Sequence, residues 1–120
     1  MSLDVYLNRK RYLSYDEGKT YTEENEQVYW ANITHNLGKM AGEAGIYEAL
    51  WRPEEIGKTK ASEIIELLEK GLLDLKARPE YFEIFNSPNG WGMYEHFVPF
   101  VEKYLNACKE FPNAEISVSR

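Results

Sequence analysis

Two short polar segments hold the residue types best suited to chemistry. The first, Asn32-Ile33-Thr34-His35-Asn36, sets four polar side chains around the start of an expected helix. The first N–H groups of a helix have no partner inside it, and the aligned peptide dipoles add partial positive charge there. Such an end receives a phosphate or carboxylate, and Lys39, one turn further on, would neutralise it. A plainer reading is local: Thr34 caps the helix and Asn32 closes a turn. The second segment, Asn86-Ser87-Pro88-Asn89-Gly90-Trp91, has a similar design. Asn89 is placed to cap the last helix, while Gly90 and Gly92 let a ligand or another backbone come close. Trp91 then offers a flat face to a base or sugar, or wedges the loop against the core. If both helix starts face one cleft, His35, Asn36, Asn89 and Trp91 form a pocket for a small polar or anionic molecule. The candidate ligand-binding set is Asn32, Thr34, His35, Asn36, Lys39, Asn89 and Trp91.

Other chemistry is poorly provided for. His35 and His96 are the two histidines, and a catalytic or metal role needs convergent partners such as an orienting carboxylate or further ligands. Glu95 and Glu102 are near His96 in sequence, but His96 falls beside an apolar stripe, and the pair does not form a His-Glu-x-x-His zinc arrangement. Cys108 is the single cysteine and falls on the inner face of a helix, where it acts as a small hydrophobe. No G-x-S-x-G elbow, phosphate loop or dinucleotide fingerprint is present. Gly38 and Gly42, four apart, suggest close helix packing. No metal and no cofactor are expected.

The elements that must position these residues follow from periodicity. Leu3, Val5 and Leu7 alternate with Asp4, Tyr6 and Asn8, the pattern of a strand with one buried face. Residues from Arg9 to Gln27 are polar and tyrosine-rich around the Asp16-Glu17-Gly18 turn signal, and read as a long hairpin connection or mobile arm. Pairing is expected to resume at Gln27 to Ala31. Within the excursion, Arg9-Lys10-Arg11 would meet Glu23-Glu24-Asn25-Glu26 as cross-strand charge pairs. Ile116 and Val118 repeat the opening alternation, so both ends of the chain belong in one antiparallel sheet.

The middle is helical. Thr34 opens a helix that Gly45 closes, and a short turn, Tyr47 to Trp51, stops at Arg52-Pro53. Thr59 caps the strongest helix, whose buried stripe is Ile64, Leu68, Leu72 and Leu75; Glu63, Glu66 and Glu69 form its solvated side, with Glu66 and Lys70 as an i,i+4 pair. Glu80 to Phe85 forms another short piece. A last helix runs from about Trp91 to Glu110 with Phe97, Phe100, Val101, Tyr104, Leu105 and Cys108 inward, kinked or divided at Pro99. The expected fold class is α+β, one domain over residues 1–120, with three main helices on one face of a small antiparallel sheet made of an N-terminal hairpin and a C-terminal strand.

Composition bounds the rest. At 120 residues the chain can bury one core without disulfides or metals. A net charge of -6 argues against nucleic acid as a partner, because phosphate-backbone binders need clustered Lys and Arg. No apolar run approaches a membrane span and no signal segment opens the sequence, so no membrane association is expected. Nine tyrosines and three tryptophans exceed what the core requires. The surplus falls at Tyr6, Tyr12, Tyr15, Tyr21, Tyr29 and Trp30 on the strand and arm, with Trp51 and Trp91 at helix boundaries, and binding is expected there.

Three stretches go beyond generic patterning: Met1-Ser2-Leu3-Asp4-Val5-Tyr6-Leu7, the run from Ala31 to Ala41 continuing through Gly45 to Glu54, and Phe85-Asn86-Ser87-Pro88-Asn89-Gly90-Trp91-Gly92. Over nearly the whole chain they resemble a family of small uncharacterised proteins of bacteriophages and bacterial genomes. The resemblance implies a context and no catalytic residue: a phage or prophage accessory protein acting in the bacterial cytoplasm. The leading expectation is a non-catalytic protein that binds a small anionic ligand, a nucleotide among them, or a host protein, with counter-defence as its setting. One alternative is a small enzyme with His35 as general base and Asn36 or Asn89 as orienting or oxyanion donors. Another is a homo-oligomeric interaction module, a homodimer formed through an exposed sheet edge or the Arg9–Gln27 arm.

Overall fold

Strand β1 (Ser2–Leu13) is the middle of a three-stranded antiparallel sheet, flanked by β2 (Thr22–Thr34) and β3 (Glu115–Ser119). The computed structural model describes residues 2–14 and 16–120; Met1 of the opening motif and Tyr15 of the arm lie outside the described residues. Leu3, Val5 and Leu7 point from β1 into the core and are fully buried. Each such burial contributes about 1.5–3 kcal/mol, which fixes the strand's register, since a one-residue slip would expose all three.

The helices cover that one face, as the α+β expectation has it. Two short helices, α1 (Gly38–Glu43) and α2 (Tyr47–Trp51), precede the longer α3 (Ile65–Ala77); a single turn, α4 (Pro79–Glu83), leads to α5 (Tyr94–Glu110). Ile64, Leu68, Leu72 and Leu75 share one buried cluster with Phe97, Val101, Tyr104, Leu105 and Cys108 and with the three β1 residues. Gly45, at φ 75°, closes α1 in the left-handed region while Ile46 behind it is fully buried. Arg52 ends α2 directly before Pro53.

Several local expectations are corrected. The Arg9–Gln27 excursion is no loose connection: the β1–β2 ladder runs on from Asn8↔Gln27 to Leu13↔Thr22, after a bulge in which Val28 is the extra residue. Arg9 meets Glu26 at 2.8 Å, Lys10 meets Glu23 at 3.1 Å and Arg11 lies 3.7 Å from Glu26. Asp16 organises the tip, its carboxylate accepting from the Thr20 N–H at 2.8 Å and the Thr20 hydroxyl at 2.6 Å.

Thr59 does not cap the strongest helix. A 3-10 turn, Ala61–Glu63, precedes α3, and the Glu63 carboxylate accepts from the main-chain N–H of Thr59 and Lys60 at 3.0 and 2.9 Å. Thr59 and Lys60 are instead drawn alongside β3, where the Ile116 N–H donates to the Thr59 carbonyl. Pro99 leaves α5 as one continuous helix.

The close glycine contact also falls elsewhere. A Cβ on Gly38 would make only ordinary contact with the Tyr47 ring at 3.5 Å and one on Gly42 would meet nothing within 4 Å, whereas one on Gly71 would strike the Ile46 side chain and lie 3.2 Å from the Ala44 carbonyl. Two supposedly surplus aromatics prove to be structural. Tyr29 stacks on Tyr104 with ring centroids 5.8 Å apart, and Trp51, buried, stacks on Tyr47 at 5.3 Å.

Candidate functional site

The last residues of β2 carry the first half of the site. Even-numbered positions of β1 and of this end of β2 face away from the helices, so Asn32 and Thr34 stand on the open side of the sheet beside Asp4 and Ser2. Asn32 donates from Nδ2 to Asp4 Oδ1 at 2.8 Å, and the Trp30 indole donates to the same oxygen at 3.1 Å. The chain then turns through a 3-10 segment, His35–Leu37, in place of the expected α-helix start. Thr34 caps this turn, its hydroxyl oxygen accepting from the Asn36 N–H at 3.3 Å. Leu37, buried, ties the turn to the core.

His35 is oriented by two contacts. Its Nε2 lies 2.8 Å from the Ser2 carbonyl, and its ring sits edge-on to Trp51 with centroids 6.2 Å apart. A carbonyl can only accept, so Nε2 carries a proton, and of the two neutral tautomers this is the one that leaves Nδ1 as an acceptor.

The loop before α5 supplies the second half. Asn89 does not cap the helix; its Oδ1 accepts from the Ser87 hydroxyl at 2.6 Å and the Trp91 N–H at 2.9 Å. Asn86 takes the helix-start role, accepting from the Tyr94 N–H at 2.7 Å, while the Tyr94 hydroxyl donates to the Leu75 carbonyl at 2.8 Å. The loop is closed by the Ser87 N–H donating to the Gly92 carbonyl at 3.0 Å.

The two halves face one cleft of about 730 Å³. Asn32, Thr34, His35, Asn36, Asn89 and Trp91 all line it. Trp91 is 71% exposed, so its indole is no wedge in the core. Lys39, the seventh expected residue, does not line the cleft: its ammonium lies 5.5 Å from the centre of the Phe85 ring. The cation that an anionic ligand would need is therefore elsewhere.

His96 and Gly92 line the cleft without having been singled out as site residues. His96, expected beside the apolar stripe, falls in the first turn of α5, which starts only at Tyr94, and is exposed beside the loop. Gly92, at φ 115°, adopts a conformation that disfavours side chains, and a Cβ there would lie 2.8 Å from Asn36 Cβ. Its missing side chain is what lets the two halves meet.

Among the described residues, the cleft lining includes no Asp, Glu, Lys or Arg, and no group of three or more potential metal ligands comes together anywhere. Cys108 is buried in α5, and desolvation pushes its thiol up to about 12, which removes it as a nucleophile near neutral pH. No helix among the described residues is long and apolar enough to cross a membrane. No protein-family model, no curated protein and no solved structure matches this chain.

Proposed function

We propose that this chain is a non-catalytic binding protein whose cleft takes a small polar molecule against the face of Trp91. One observation carries the reading: an indole left largely in water stands at the cleft on a main-chain segment tied at both its N–H and its carbonyl. The Trp91 N–H is bonded to Asn89 and the Trp91 carbonyl to Asn36. Burying a Trp elsewhere would bring a large hydrophobic gain, so an exposed ring on a tethered main chain beside a cleft suits stacking on a ligand. The cleft volume falls within the roughly 300–1,000 Å³ usual for small-molecule sites.

The non-catalytic form is supported by the lining itself. A general base needs an orienting or charge-stabilising partner, and His35 is oriented by a carbonyl and the edge of Trp51. With no Lys or Arg on the lining, the cleft suits a polar ligand better than an anionic one. A phage or prophage accessory role, with counter-defence as its setting, is the biological context that the family resemblance suggests. The test is a thermal-shift screen of wild type against Trp91→Ala over sugars, nucleosides and nucleotides. A melting-temperature rise confined to wild type supports the reading; no rise at millimolar ligand removes it.

A second reading has its own observation. Beyond the Val28 bulge the β1–β2 hairpin continues as a two-stranded arm bearing Tyr12 and Tyr21, 62% and 64% exposed. Two-stranded ribbons are marginal alone, so a contact with a host protein or a second copy through this arm is the competing proposal. Light scattering and pull-down with wild type and an arm-tip double variant, Tyr12→Ser with Tyr21→Ser, test it; a strict monomer without a partner sinks it.

A further inference from the structure

The hydrogen-bond inventory of the cleft says more about its ligand than its size does. Asn32 spends Nδ2 on Asp4, Asn36 spends Nδ2 on the Trp91 carbonyl, and His35 spends its Nε2 proton on the Ser2 carbonyl. Each therefore keeps an acceptor, namely Asn32 Oδ1, Asn36 Oδ1 and His35 Nδ1, with no partner among the described residues. Asn89 is the reverse: its Oδ1 is taken twice, which leaves Nδ2 as a donor.

Three fixed acceptors interleaved with the remaining amide N–H groups and the Ser2 and Thr34 hydroxyls make a mixed lining, whereas an ionised phosphate or carboxylate can only accept. Such a group would leave the acceptors unpaired as it displaced their water, and no Lys or Arg on the lining would offset its charge. The same acceptors suit hydroxyl groups, which donate and accept in turn. Trp91 suits the apolar face of a ring.

We infer that the cleft takes an uncharged ring bearing two or more hydroxyls, as in a free saccharide or the ribose of a nucleoside, stacked on Trp91. This inference rests on the binding reading above and adds the class of ligand. It also predicts discrimination: adding a phosphate to a ligand that fits should weaken binding.

The test is a titration of the full, isotope-labelled chain, followed by NMR, with methyl glucoside, adenosine, adenosine monophosphate and inorganic phosphate as separate probes. The expected result is that methyl glucoside or adenosine shifts the Trp91 indole and the Gly90 and Gly92 amides at millimolar concentration. The monophosphate should bind several-fold more weakly than adenosine, and phosphate alone should shift none of these signals. Which neutral probe acts tells a saccharide from a nucleoside. Should the monophosphate bind tenfold more tightly than adenosine at these signals, or phosphate shift them, the neutral-ring inference falls while the binding reading stands. If none of the four probes moves them, both fall.

Discussion

Asn36 donates from Nδ2 to the main-chain carbonyl of Trp91 at 2.7 Å, joining residues 55 positions apart in the chain. This bond and the gap left by Gly92 connect the end of β2 to the loop that precedes α5. The cleft is thus a junction between two distant segments, and its integrity should be separable from that of the core.

Gly92→Ala tests the junction. An added Cβ must share space with Asn36 Cβ in a backbone conformation with φ at 115°. We expect a loss of roughly 1–3 kcal/mol in stability by urea unfolding, with weaker binding of any cleft ligand. Unchanged stability and affinity would show that the two halves do not depend on this contact.

A pair of glycines gives a signed contrast. Gly71→Ala should cost about 1–3 kcal/mol, because the new methyl meets Ile46 in a packed interior. Gly42→Ala, on an exposed helical position with open space around its Cβ, should stabilise by about 0.5–1 kcal/mol. Urea midpoints of the two variants should therefore move in opposite directions.

The pH profile of stability should be a plateau with two falling limbs. On the acid side, Asp16 is held below the ordinary carboxylate range by the Thr20 hydroxyl and N–H, Glu63 by the N–H groups of Thr59 and Lys60, and Asp74 by Arg78. Their contributions are complete above the unfolded values of 3.8 to 4.5 and are lost as pH falls through the lower folded values. On the alkaline side, desolvation raises the Cys108 thiol from 9.0 to about 12 and the Tyr104 phenol well above 10.0. Above about pH 9 the unfolded chain then releases protons that the folded chain keeps, so stability declines as pH rises. Urea midpoints measured from pH 2.5 to 11 check both limbs, and a midpoint that rises above pH 9 would contradict this account.

Glu26 stands between Arg9 and Arg11 on the arm, itself partly covered while both arginines are about half exposed. Glu26→Gln should leave global unfolding unchanged and should speed amide exchange in the arm, residues 8–13 and 22–27, relative to the β1 core residues 3–7. High salt applied to wild type should produce the same local effect.

The sheet and helices were readable in the sequence wherever one face is dry and the other wet. Leu3, Val5 and Leu7 alternate because β1 has the helices on a single side there, and the Ile64 to Leu75 stripe repeats because α3 packs along one line. The arm gives no such signal: beyond the bulge its two strands are polar on both faces, so nothing in the pattern separates a ladder from a loop. Asn86 and Asn89 could each have started α5, and the Tyr94 tether to the Leu75 carbonyl is a long-range contact that periodicity does not carry. The two polar halves of the cleft were visible as segments. Their meeting was not, since it depends on a missing Cβ at Gly92 and an amide bond across the fold. Lys39 was misplaced for a related reason. A regular helix from Thr34 would have aimed it differently from the 3-10 turn that forms.

The arm described above alters how this molecule moves through solution. The chain extends 59 Å along its longest axis against 27 and 23 Å across, and its radius of gyration is 16.5 Å. A compact domain of the same length would have about 13.6 Å. Friction grows with elongation, so a 14.0 kDa monomer of this shape should elute from a sizing column ahead of globular standards of equal mass and imitate a larger particle. An early elution volume is therefore the signature of one extended chain as much as of two compact ones, and mass from scattered light is the measurement that separates them.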